Sequence, residues 1–420
     1  MLAAAILAAC TGAHAKKDKA VSLEVLGTYE SGIFDDSAAE IVGHDPASQQ
    51  LFVINGGNKT VDILDISDPT SPTLTDTIDV SEDLEQSGGV NSVDVRDGVV
   101  AVAVEHDNKQ MPGWVAFYAT DGTYLNSVGA GALPDMLTFT RNGSYVLVAN
   151  EGEPNDTYTV DPEGSVSIVD IRKGVMNATV THAGFAGFDD AAADAAGVRT
   201  PQPYGATVAQ DLEPEYIATS HDSRTAWVVL QENNALAVVD IPGATVTGLV
   251  GLGCKDHSID GNGLDASNRD DAINIATWPV CGLHMPDAIT AYRSRGTTWL
   301  VTANEGDGRE YGFDDTSDAE CSQVNPDWEF NDEDEVCITY IDESRIGKAE
   351  LDLPGYDEDQ SEELQENENL GRLKFVTTEG DTNGDGKYEE LYSFGARSFT
   401  VWDTAGNIVF DSADEFEQVT

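Results

Sequence analysis

Basic residues are scarce. Lysine and arginine number 22 against 76 aspartates and glutamates, a formal net charge of −54. A surface of that sign repels nucleic acid and anionic membranes, so neither is an expected partner. It suits a salty exterior or the binding of cations. Long apolar runs are missing as well: "MLAAAILAAC" is too short to cross a bilayer as a helix. The G-x-S-x-G, P-loop and H-E-x-x-H signatures are all absent, so serine-hydrolase, nucleotide-binding and zincin chemistries find little support. The seven histidines are scattered. His44 and His106 read as loop bystanders, and no nucleophile stands out.

What is there begins with an export signal over residues 1–20. Leu7, Ala8, Ala9 and Cys10 resemble a lipobox with Cys10 as the lipidated residue, and Ala13-His14-Ala15 offers an alternative cleavage pattern for soluble secretion. A lipid anchor is therefore the one expected membrane attachment, and the destination is the periplasm, the cell surface or the medium. Of the remaining cysteines, the local pairings Cys254–Cys281 and Cys321–Cys337 fit an exported chain. Zinc is the competing reading, but no C-x-x-C spacing supports it.

Residues 21–420 read as one all-β domain. Units of strand, tight turn and strand open at Glu40, Asn91, Asp135, Glu215, Asp287 and Arg397. A third strand follows several of them, as in "TVDILDI", "GWVAFY", "SVSIVDI" and "ALAVVDI". Repetition at about 45 residues, interrupted by insertions, predicts β-propeller blades, about six of them recognisable. The insertions 172–212, 251–284 and 306–371 are polar and acidic.

In a propeller the first strand of each blade lines the channel and the second returns antiparallel to it. The residues that open the units should then ring one mouth. The strand-ending acids Glu105, Glu151, Glu232 and Glu305 should surround the same mouth. Clustered carboxylates raise one another's pKa or recruit a cation, and an all-oxygen donor set favours Ca²⁺ or Mg²⁺. Glu40, Asp135, Glu215 and Asp287 are the expected ligands. Arg397 and Arg309 are expected to clamp an anionic group beside them. A second cation signal is "DTNGDGKYEE". It places Asp381, Asn383, Asp385, Lys387 and Glu389 at positions 1, 3, 5, 7 and 9 of a calcium-type loop, without the acid at position 12.

The stretches "LPDMLTFTRNGSYVLVANEGEP", "DLEPEYIATS", "LQENNALAVVDI", "MPDAITAY", "VTANEGDGREYGF" and "ELYSFGARSFTVWD" resemble the choice-of-anchor I family. The resemblance runs in order over roughly residues 20–420. It implies an exported or surface-anchored, seven-bladed YVTN-like propeller. Several such proteins carry the name alkaline phosphatase. It also leads us to expect a last blade beyond "VFDSADEFEQVT", so the final blade reads as truncated. Two functions follow as expectations. One is a Ca²⁺-binding surface module for binding or adhesion to a cell-surface ligand. The alternative is a calcium-dependent phosphomonoesterase acting on a small phosphorylated substrate, with Asp135, Arg309 and Arg397 at its centre.

Overall fold

The computed structural model describes residues 23–34, 37–314, 321, 325, 326, 328–331 and 335–419. The export signal and Cys10 lie outside these residues.

Five four-stranded antiparallel sheets follow one another along the chain. The first holds Val42–Asp45, Gln50–Asn55, Thr60–Asp65 and Thr73–Ile78. The second holds Ser87–Arg96, Val99–His106, Pro112–Ala119 and Tyr124–Ala132. The third holds Pro134–Phe139, Tyr145–Asn150, Ser165–Asp170 and Thr179–Gly184. The fourth holds Ile217–Thr219, Thr225–Leu230, Ala235–Asp240 and Thr245–Gly251. In each of these four the strand order is the chain order, an up-and-down meander.

Hydrophobic alternation explains how the sheets stack. In Val99–His106, Val100, Val102 and Val104 pack on Phe52, Ile54 and Ile63 of the first sheet. The intervening Ala101 and Ala103 pack with Phe117 on Leu137, Val146 and Val148 of the third. A strand buried on both faces reads as a continuous apolar run, as "VVAVAV" does. Leu147 and Ile168 meet Val228 and Leu230 between the third and fourth sheets. Trp227 and Leu236 meet Leu300 and Trp402 between the fourth and fifth. Each fully buried large side chain contributes about 1.5–3 kcal/mol. This is the layered arrangement of propeller blades.

The fifth sheet corrects the sequence reading. Its strands are Ala288–Ser294, Thr297–Asn304, Ser398–Trp402 and Ile408–Asp411. The stretch opening at Arg397 therefore completes this sheet as its third and fourth strands and does not begin a sixth blade. Asn304 pairs directly with Ser398, and residues 305–397 leave and re-enter between them. That excursion carries a three-stranded sheet of Glu310–Asp314, Val336–Ile341 and Glu329–Asn331. It joins the insertion after Gly251 in a five-stranded mixed sheet, ordered Cys254–Asp256, Cys281–Leu283, Tyr392–Ser393, Lys374–Val376 and Glu343–Arg345. Cys254–Cys281 and Cys321–Cys337 are both disulfide-bonded. No described helix is long and apolar enough to cross a membrane.

Candidate functional site

The repeated Ala-Asn-Glu-Gly at the end of the second strand divides its work among three residues. The asparagine is a latch. Asn150 is fully buried; its Nδ2 donates to the Ser165 carbonyl at 3.0 Å and to Ser167 Oγ at 2.9 Å, and its Oδ1 accepts from the Gly131 amide at 3.0 Å. Asn304 does the same in the fifth sheet, donating to Ser398 Oγ at 3.0 Å and Thr400 Oγ1 at 2.7 Å. The glycine turns the chain with φ of 74° at Gly152 and 83° at Gly306. A side chain there would strike the Glu163 carbonyl carbon or the Gly395 amide nitrogen. Between latch and turn, the glutamate is held at the strand end.

Glu151 so placed faces a cluster of acids drawn from several sheets. Burial, followed by the charges of Asp287, Glu153, Glu40 and Glu232, raises the Asp135 carboxyl to about 7. Burial and the charges of Asp135, Glu153, Glu232 and Glu213 push Glu151 well up. Glu215 rises for the same reason beside Glu232 and Glu151, and it lies within hydrogen-bonding reach of Glu232. Burial raises Glu232 and Asp287 too, and Glu105 and Asp307 add their fields at the edge. Oε2 of Glu232 is shielded from solvent and has no hydrogen-bond partner. Glu40, Asp135, Glu215 and Asp287 thus come together with Glu105, Glu151 and Glu232. Glu305 is exposed. Asn91 spends its amide on the Pro134 carbonyl at 3.0 Å, tying the second sheet to the third.

Arg309 lies beside the acids and Arg397 apart from them, and each already has a carboxylate partner. Arg309 is buried, and its whole fork is occupied: Nε and Nη2 donate to Glu213 Oε2 at 3.0 and 2.8 Å, Nη1 to Asp211 Oδ1 at 2.9 Å, and Nη2 also to the Asp211 carbonyl at 2.7 Å. Asp342 accepts the Arg309 amide at 2.9 Å and pairs with Arg199 at 2.5 Å. Three buried carboxylates are thereby matched to two guanidiniums, and the cations whose charge reaches the cluster are this committed Arg309 and, at Glu153, Lys109. Arg397 is exposed and ion-paired with Glu417 at 3.0 Å.

Glu153, Asp211, Glu213, Arg199 and Asp342 were not singled out from sequence. Glu153 and Glu213 carried a signal, since each lies two residues from a recognised acid in "EGE" and "EPE". Arg199 and Asp342 sit in irregular insertions and carried none. Tyrosines cover this region: Tyr158 packs on Tyr204, Tyr311 and Tyr340 at 5.1, 5.2 and 5.8 Å between ring centres. Burial raises the Tyr340 hydroxyl to about 12, and Tyr311 rises beside Glu213 and Glu153.

The 381–389 loop lies apart on the surface. Ligand oxygens of Asp381, Asp385 and Glu389 lie within 4.8 Å of one another. Asp381 accepts from the amides of Gly384 at 2.7 Å and Gly386 at 2.9 Å, and these bonds hold its carboxyl below the usual range. Asn383 Nδ2 reaches Glu389 Oε1 at 2.7 Å, and the Lys387 amide reaches Asp385 Oδ1 at 3.0 Å.

Successive four-stranded meandering sheets, stacked face to face, are the architecture of an all-β protein of the propeller type. Residues 40–420 match the choice-of-anchor I domain, and the chain belongs to that family. No curated protein matches it. Among solved structures, a functionally unknown protein from Desulfotomaculum acetoxidans is similar at 12% identity and a TM-score of 0.38, covering 89% of this chain and 84% of its own. A Lactobacillus plantarum protein is similar at 15% identity and 0.37, covering 66% and 67%. A chain of a nidogen–laminin complex is similar at 10% identity and 0.30, covering 50% and 62%.

Proposed function

We propose that the protein is an exported, cell-surface binding module that holds a hard divalent cation, Ca²⁺ in the first instance, among Asp135, Glu151, Glu215 and Glu232. One observation carries this reading: shielded carboxylates converge there, while the adjacent buried arginines are already spent on Asp211, Glu213 and Asp342. Burying several such groups near neutral pH costs several kcal/mol unless they hold protons or share a cation. The unpartnered Oε2 of Glu232 is the kind of donor a cation would satisfy. Oxygen-only donors suit Ca²⁺ or Mg²⁺. The disulfides and the family fit a location outside the cytoplasm. The exposed 381–389 loop is a second, structural Ca²⁺ site in this reading.

The phosphomonoesterase alternative has weaker support. Arg309 is occupied, and Arg397 turns to Glu417.

Thermal melting of the full chain tests the proposal. Ca²⁺ should raise Tm relative to EDTA, since a ligand at 100 times its Kd adds about 2.7 kcal/mol. Glu232→Gln should remove part of that gain, and Asp381→Asn a separate part. A Ca²⁺ response that Glu232→Gln leaves intact discards the buried site. No response at all discards both.

A further inference from the structure

A second charged feature lies beside the acidic cluster and has the opposite sign. Arg345 ends the strand Glu343–Arg345 and stands directly across from Lys374 in the neighbouring strand. Arg372 lies two residues before Lys374, and Arg345 Nη1 donates to its carbonyl. Arg269 approaches from the insertion after Gly251. The charges of Arg345 and Arg269 push the Arg372 guanidinium below its usual range. Among the described residues, no carboxylate lies within ion-pairing distance of Arg269, Arg345 or Arg372. Lys374 pairs with Glu343 and Arg397 with Glu417.

This grouping runs against the composition. Acids outnumber bases 76 to 22, so an arginine here meets a carboxylate by default. Three that meet one another instead, with like charges facing across adjacent strands, destabilise the free protein. A cleft of about 420 Å³ opens beside Arg372, which lines it with Lys374, Arg397, Asn268 and Phe394; three carboxylates, Asp265, Asp307 and Glu343, share the wall, and Arg269 and Arg345 lie outside the lining. Asn268 Oδ1 accepts from Arg372 Nε at 3.3 Å, which aims the guanidinium.

We infer that Arg372, with Arg345 and Arg269 beside it, binds at the edge of this cleft the oxyanion group — phosphate, sulfate or carboxylate — of an acidic ligand. Guanidiniums present paired N–H donors to such groups, and a bound oxyanion relieves the mutual repulsion of the arginines. Phe394 offers an apolar wall for the body of the ligand. Asp307 lines the cleft and also acts on Asp287 and Glu232 of the carboxylate cluster. The two features therefore adjoin, yet anion binding in the cleft requires no metal.

Isothermal titration of the full chain in EDTA tests this, with inorganic phosphate, inorganic sulfate and a uronic-acid oligosaccharide as separate probes. At least one should bind saturably. Arg269→Ala with Arg372→Ala should weaken it tenfold or more, while melting within a few degrees of wild type. If the double variant fails to fold, the exposed Arg269→Ala alone should still weaken binding several-fold. A preference for phosphate assigns a phosphorylated ligand, and a preference for the uronate an acidic saccharide. No saturable binding of any probe overturns the inference, as does an unchanged Kd in a folded variant. Repeating the titrations with Ca²⁺ separates the proposals. Anion binding without any calcium response leaves the cleft standing and removes the cation site.

Discussion

Asp135→Asn isolates one carboxyl of the cluster from the many others in this acidic chain. In the folded protein that carboxyl sits at about 7, against 3.8 as its ordinary value. A raised acid pKa means that the native state holds the proton more tightly than the unfolded chain. Stability is therefore full below about pH 4 and falls as pH climbs through 7. At about 1.4 kcal/mol per pH unit, the loss reaches about 4 kcal/mol. Unfolding entropy scales at about 2 cal/mol/K per residue, so this chain should lose about 5 °C in Tm. Asparagine has the same shape and cannot ionise. In EDTA at pH 5 the variant should melt higher by only about a third of that amount, since the unfolded carboxyl is already ionised there while the folded one keeps its proton. At pH 8 the variant should melt higher by up to the full amount. Saturating Ca²⁺ at pH 8 should invert the order, because the cation stabilises the ionised carboxylate and the amide is a poorer ligand. Differential scanning calorimetry at the two pH values, with and without the ion, reads all of this. A difference between the two proteins that is the same at pH 5 and pH 8 in EDTA refutes the reasoning.

Arg309→Met should cost about 3–5 kcal/mol by leaving Asp211 and Glu213 buried without their partner, read as a lower urea midpoint or loss of soluble protein. Asn304→Ala breaks the latch to Ser398 and Thr400 and should cost about 2–3 kcal/mol in the same urea titration, with any Ca²⁺-induced rise in Tm preserved.

Much of this was legible in the chain itself. The Ala-Asn-Glu-Gly copies mark strand ends because a buried latch and a left-handed turn each demand one residue type, asparagine and glycine, while the glutamate between them joins the acidic cluster only in the first copy. Glu40, Asp135, Glu215 and Asp287 were found by their shared place before a strand, and the sheets bring them together. Arg397 misled because a meander repeats the same strand–turn–strand pattern in its first and second halves. Period-two alternation cannot tell which half it belongs to, and a long excursion hid the continuity with Thr297–Asn304. Arg309 misled for another reason. Its partners Asp211 and Glu213 stand nearly a hundred residues away, and nothing local to "EGDGREYG" announces that they fill its fork.

The excursion between Asn304 and Ser398 has a consequence for how such a protein can change. It departs and returns at paired positions, with the Arg397 amide bonded to the Asn304 carbonyl at 3.1 Å and two glycines pressed together at the neck. Through that neck pass Arg309, Asp342, Arg345, Arg372, Lys374 and the 381–389 loop. Doubling the length of a flexible insert adds only about 0.6 kcal/mol of closure cost. Surface loops of the excursion such as 381–389 can therefore be lengthened or exchanged at little cost, provided Arg309 and Asp342 keep their buried bonds to Asp211, Glu213 and Arg199.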